Sequence, residues 1–116
     1  MLEAAIAIAL LSYLTLLGVL GIESLLVVGA AATLAGLLGG GGAGIVYHLV
    51  LRQSLTRLGA STQGWLWSPV SCHRLLDEKA RGEVLPWFRV GAAGFLVCVA
   101  GIGMVAVAAV KAALVG

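Results

Sequence analysis

Charged residues divide the chain into three long uncharged stretches, Ala4–Ile22, Ser24–Leu51 and Val90–Val110, of 19, 28 and 21 residues. About 20 apolar residues suffice to cross a hydrocarbon layer about 30 Å thick. Three such matches in one chain predict three membrane-spanning segments. In lipid a backbone amide has no water to bond, so only helices and closed barrels can span. A barrel strand alternates in polarity over about ten residues, and no stretch here alternates. The expected fold class is therefore an all-α integral membrane protein with three transmembrane helices, a helical hairpin plus a third span, and a short interfacial helix in a basic cytoplasmic loop. The spans are expected at about 2–21, 24–50 and 87–114 of a single membrane domain 1–116. The loop covers 52–86, with its helix at about 69–81.

Local signals set these boundaries. Gly21-Ile22-Glu23-Ser24 is the only polar interruption between the first two stretches, which predicts a tight antiparallel hairpin. Ser24 is the expected cap of the second helix, and Glu23 suits its positive N-terminal end. In the loop, Ser68-Pro69 reads as a helix start and Gly82 as its stop. His73–Asp77, Arg74–Glu78 and Asp77–Arg81 are spaced four apart, as ion pairs on a helix would be. Pro86 is expected to open the third span. Tyr47, Trp65, Trp67, Trp87 and Phe88 bracket the loop where an aromatic belt belongs. Tyr47, Trp65, Trp67, Trp87 and Arg89 are the expected membrane-interface residues.

Composition agrees with this pattern. The chain is 61% hydrophobic and 10% charged, with a mean hydropathy of +1.12; a soluble domain carries about 25% charged and about 45–50% apolar residues. Net charge is +2, too weak to suggest a nucleic-acid partner. Six of the seven basic residues, Arg52, Arg57, Arg74, Lys79, Arg81 and Arg89, fall between 52 and 89. Short basic loops stay on the cytoplasmic side, so the N-terminus and loop 52–89 are expected inside and the C-terminus outside, in a prokaryotic plasma membrane. Lys111 is the one charge against this orientation. The first stretch opens on Glu3 rather than on a basic flank and stays uncharged for 19 residues, longer than a signal-peptide core, so it reads as a retained span. Cys72 and Cys98 form no CxxC and no zinc-type spacing, and small-thiol packing accounts for both.

Function is far less legible. Ala32, Gly36, Gly40 and Gly44 recur every four residues, and the third span has a companion stripe of Gly94, Cys98, Gly101, Val105, Ala108 and Ala112. Small residues let helix backbones approach closely where no hydrophobic drive exists between helices, so Ala32, Gly36, Gly40, Gly44, Gly94, Cys98 and Gly101 are the expected helix-packing interface. Gly39-Gly40-Gly41-Gly42 admits two readings, a broken helix that lines a site or an over-long, unbroken helix that tilts; the second is the expectation. His48, beside Tyr47, is the residue to test for haem or quinone contact, but no acid lies near it in sequence and His73 is the only other histidine. No nucleophile elbow, phosphate-binding loop or deep carboxylate pair occurs. Apolar helices joined by a basic turn resemble conjugative pilins in outline, although those are smaller with a much shorter loop.

The leading expectation is a non-catalytic accessory or scaffold subunit of a larger membrane complex, with no catalytic residues, no metal and no cofactor. Its partners would be the lipid bilayer and other membrane subunits or copies of itself. The alternatives are a membrane anchor of a respiratory enzyme contacting haem or quinone near His48, and a self-assembling subunit of a pore or a pilus-like filament.

Overall fold

The computed structural model describes residues 1–116 and is all-helical, with no strands. Helices α1 (Leu2–Val19), α2 (Ile22–Arg57) and α3 (Glu78–Val115) are each long and apolar enough to cross a membrane. A short 3-10 helix occupies Pro69–Leu75. The chain divides into two compact units, Met1–Leu34 with Val99–Gly116, and Ala35–Cys98.

In the first unit α1 stops at Val19 because Leu20 turns extended, with φ −69° and ψ 140°. Leu20 and Gly21 alone join α1 to α2. The Leu25 N–H donates to the Gly21 carbonyl at 3.0 Å, so α2 begins one turn earlier than expected. Gly21, not Ser24, holds the capping position, and Ser24 lies within the first turn of α2. Glu23 sits in that turn as well, where the helix dipole favours a carboxylate. The other end of the joint is closed by Lys111, whose Nζ donates to the carbonyls of Gly18 at 3.2 Å and Leu20 at 2.8 Å. Those carbonyls are among the last of α1, with no helical donor of their own. Leu25, Met104 and Ala108 form a small core here, with Tyr13, Leu17, Leu20, Ile22 and Val107 packed around it.

The second unit holds a larger core of Tyr47, Leu51, Leu55, Cys72, Leu76, Ala80 and Val84. Tyr47, Leu51 and Leu55 recur every four residues on α2, and Ala80 and Val84 do so on α3, so each helix turns one stripe inward. α2 runs through Gly39–Gly42 without a break. It ends in a Schellman motif: Gly59 takes φ +69°, Gly59 N–H donates to Thr56 O and Ala60 N–H to Leu55 O.

The loop is 58–77 rather than 52–86, and the helix expected at about 69–81 is two elements. Pro69–Leu75 is 3-10, Leu76 is extended, and Asp77 starts α3 by accepting the Ala80 N–H at 2.8 Å. An aspartate cap is a strong start signal, and it splits the run of residues that reads as one helix in sequence. The ion pairs expected at 73–77, 74–78 and 77–81 therefore do not form; Arg57–Glu83, at 3.6 Å, is the ion pair present. Gly82 does not stop a helix and Pro86 does not open one, since both lie inside α3. Proline removes one helical donor, leaving the Gly82 carbonyl without its partner, but Ala80 and Val84, both fully buried, pin that part of α3 to the core.

Candidate helix-packing faces and a histidine–aromatic cluster

Close backbone approach between α2 and α3 occurs in each unit. In the second, a Cβ on Gly36 would strike the Cys98 amide nitrogen and lie 2.5 Å from the Gly94 carbonyl oxygen. A Cβ on Gly40 would come within 3.0 Å of Gly94 Cα, and one on Gly94 would collide with Gly40 Cα. Gly91 lies along the same line, where its Cβ would meet Gly44 N at 3.6 Å. In the first unit, a Cβ on Gly101 would stand 2.5 Å from Thr33 Oγ1 and 2.6 Å from Gly29 O, and one on Gly29 would stand 2.9 Å from Gly101 O. The α1 contact uses the same device: Tyr13 Oη donates to the Ala100 carbonyl at 2.5 Å, and Gly103 leaves room for that hydroxyl.

Of the residues expected at the packing interface, Gly36, Gly40, Gly94, Cys98 and Gly101 meet a facing backbone. Ala32 is only half-buried, and a Cβ on Gly44 would meet nothing within 4 Å. A step of four residues advances 400° around a helix of 3.6 residues per turn, so a fourfold stripe drifts off the contact. The inward positions alternate four and three instead: Gly29 and Thr33 in one unit; Gly36, Gly40, Ala43 and Tyr47 in the other. Gly29 and Gly91, absent from the sequence-based set, are found by that heptad-like spacing.

A second cluster gathers at Tyr47. Its hydroxyl shares a 2.6 Å hydrogen bond with His73 Nε2. Its ring packs edge-on to His48 at 5.1 Å and to His73 at 5.8 Å, and tilted against Phe88 at 5.4 Å. His48 Nδ1 donates to the Gly44 carbonyl at 2.8 Å, and its ring meets Trp65 at 6.1 Å. Arg52, one turn further along α2, holds its guanidinium 5.4 Å over the Trp65 ring. Burial, followed by the charge of Arg81, lowers the His73 pKa below the ordinary histidine value. Both histidines thus converge on one tyrosine, a juxtaposition no local sequence signal announces because 26 residues separate Tyr47 from His73.

The residues expected to face a membrane interface divide. Tyr47 is buried in the core and does not face outward, because its hydroxyl finds His73 there. Trp65 is half-buried, while Trp67, Trp87 and Arg89 are exposed. Cys72 is buried in the core and Cys98 is half-buried beside Gly36; both are free thiols. No three metal-ligating side chains converge. Comparison with protein-family models, curated proteins and solved structures finds no match to this chain.

Proposed function

We propose that this protein is a non-catalytic accessory or scaffold subunit of a membrane complex, inserted through α1, α2 and α3. Its basic loop and N-terminus would face the cytoplasm of a prokaryotic cell and its C-terminus the outside. Supporting insertion, α1 has no buried residue and carries Leu10, Leu11, Leu14 and Leu16 exposed. In water those side chains would form an apolar patch far beyond what a soluble monomer tolerates. Lys111, the charge that argues against the orientation, is engaged by α1 carbonyls and so counts little as a free topogenic charge.

One observation carries the subunit role. Ala35, Gly39 and Gly42 share a face of α2, four and three residues apart, and all three are exposed; a Cβ on Gly39 or Gly42 meets nothing within 4 Å. Each glycine costs a helix about 1 kcal/mol relative to alanine in water, and nothing inside this chain uses the space these two leave. A helix from another subunit fits that need. Gly42→Leu is then expected to leave yield and helicity unchanged in mild detergent while abolishing co-purification of the partner from native membranes. Gly40→Leu, whose side chain meets Gly94 within the chain, is expected to impair folding itself. Unchanged size and retrieval in Gly42→Leu would defeat the subunit role.

The redox-anchor reading keeps one supporting feature: His48 Nδ1 is oriented by a carbonyl, the arrangement usual for ligand histidines. A Soret band lost on His48→Ala would promote it. A discrete large homo-oligomer in the absence of any partner would instead favour self-assembly.

A further inference from the structure

Bordering the Ala35 face of α2, the second unit carries a shallow apolar groove of about 420 Å³. Ile45, Leu49 and Leu66 line it with the rings of His48 and Trp65. Gly41 and Gly44 leave its floor bare, since a Cβ on either meets nothing within 4 Å. The groove adjoins a cation that the chain does not neutralise: Arg52 lies over Trp65 and has no acidic partner. The whole 52–89 segment has six cations against Asp77, Glu78 and Glu83, a net +3. His48 spends its Nδ1 proton on Gly44 O, so its Nε2, with no partner in the chain, is a hydrogen-bond acceptor when the ring is neutral.

We propose that this groove binds one anionic phospholipid of the phosphatidylglycerol type. An acyl chain lies over Gly41 and Gly44, the phosphate pairs with Arg52, and a headgroup hydroxyl donates to His48 Nε2. The inference rests on the membrane insertion proposed above. A zwitterionic choline lipid offers neither net negative charge nor a hydroxyl donor. Free phosphate lacks the chain that the apolar walls require.

Trp65 supplies the readout. A variant with Trp67→Phe and Trp87→Phe keeps it as the only tryptophan, reconstituted in phosphatidylcholine vesicles containing a minor fraction of brominated phosphatidylglycerol or brominated phosphatidylcholine. The glycerol lipid is expected to quench Trp65 with an apparent preference of about fivefold, the scale of one cation near an anionic headgroup. Arg52→Gln should bring the preference near unity, Arg74→Gln should leave it, and Gly41→Leu should weaken quenching by both lipids by filling the groove. Excess glycerol phosphate should not relieve quenching. Equal quenching by the two lipids in the Arg52 protein, a preference that survives Arg52→Gln, relief by glycerol phosphate, or displacement of the lipid by an added quinone would each overturn the proposal. Failure of the protein to float with vesicles, with no quenching by either lipid, would overturn the insertion reading and this proposal together, an outcome distinct from an inserted protein that shows no preference.

Discussion

The two units of this molecule are held together by different means. In Met1–Leu34 with Val99–Gly116, three residues make the core, and closure relies on Tyr13 to Ala100, Gly29 against Gly101, and Lys111 on the end of α1. In Ala35–Cys98, seven buried residues form a core with loop residues folded onto it, and both helix ends beside the loop are closed by caps of the kind common in soluble proteins. The first unit uses packing and polar contacts to backbone, the means available where apolar surface need not be hidden from the solvent. The second has such packing at Gly36, Gly40 and Gly94 and adds a larger apolar core, whose driving force, the hydrophobic effect, acts only where water is the alternative. The insertion proposed above, with the 58–77 loop in water, calls for an apolar core at that loop and for backbone packing along the spans.

The sharpest way to break the comparison is to trim one side chain in each unit. Leu55 is fully buried beneath Ala60 and the loop, so Leu55→Ala is expected to cost about 2–5 kcal/mol. That loss should appear as early thermal unfolding and fast proteolysis between 58 and 77. Leu11, on α1, is exposed, and Leu11→Ala should change stability by less than about 0.5 kcal/mol. Equal losses at the two sites would mean that both units depend on a water-driven core, and the contrast would fail.

Lys111 tests the other half. Its ammonium serves two carbonyls at the end of α1, a charge-assisted cap, so Lys111→Met should cost about 1–2 kcal/mol. The expected signature is increased hydrogen exchange at the α1–α2 joint with the 58–77 loop unaffected. Orientation should not invert, since the cation is engaged locally; a cysteine replacing Gln63 should still label from the cytoplasmic side only. Inversion in this variant would show that Lys111 acts as a topogenic charge rather than as a cap.

Much of the fold was legible because long uncharged runs have a single meaning. Three helices and the short joint near Gly21 follow from run length, whereas Gly39–Gly42 admitted two readings in sequence and runs unbroken. The loop was less legible because its signals compete: Pro69, Gly82 and Pro86 each mark a boundary in sequence, and Asp77, a stronger cap, overrides the last two. The charge at Arg52 drew the expected end of α2 to about 50, seven residues short of Arg57, where the Gly59 turn ends the helix. The α2 stripe was misplaced for a geometric reason, a fourfold period where the contact follows alternating fours and threes; on α3 the companion stripe had the right spacing and met its partners at Gly94, Cys98 and Gly101. The Tyr47–His73 pair depends on how the loop folds back, which no period encodes.

The smallest effect sharpens the view of the second unit as water-facing at its loop end. His73 lies between Tyr47 on α2, whose hydroxyl bonds its Nε2, and Arg81 on α3. Burial and the Arg81 charge both disfavour the imidazolium, so the folded pKa lies below the ordinary 6.5. Because the folded value is below the unfolded one, protonation favours the undocked loop. Docking is at full strength above about pH 6.5 and weakens as pH falls through the window between 6.5 and the lower folded value. Protection of the 58–77 loop from protease, followed by hydrogen exchange in a His48→Gln background so that one histidine remains, is expected to decline modestly across that window. His73→Phe should flatten the profile while keeping the ring contact with Phe88. Arg81→Gln should narrow the window by removing the weaker of the two causes. A profile that stays flat from pH 8 to pH 5 with His73 intact would mean that the ring is solvated at the loop and that its bond to Tyr47 does not hold the loop in place.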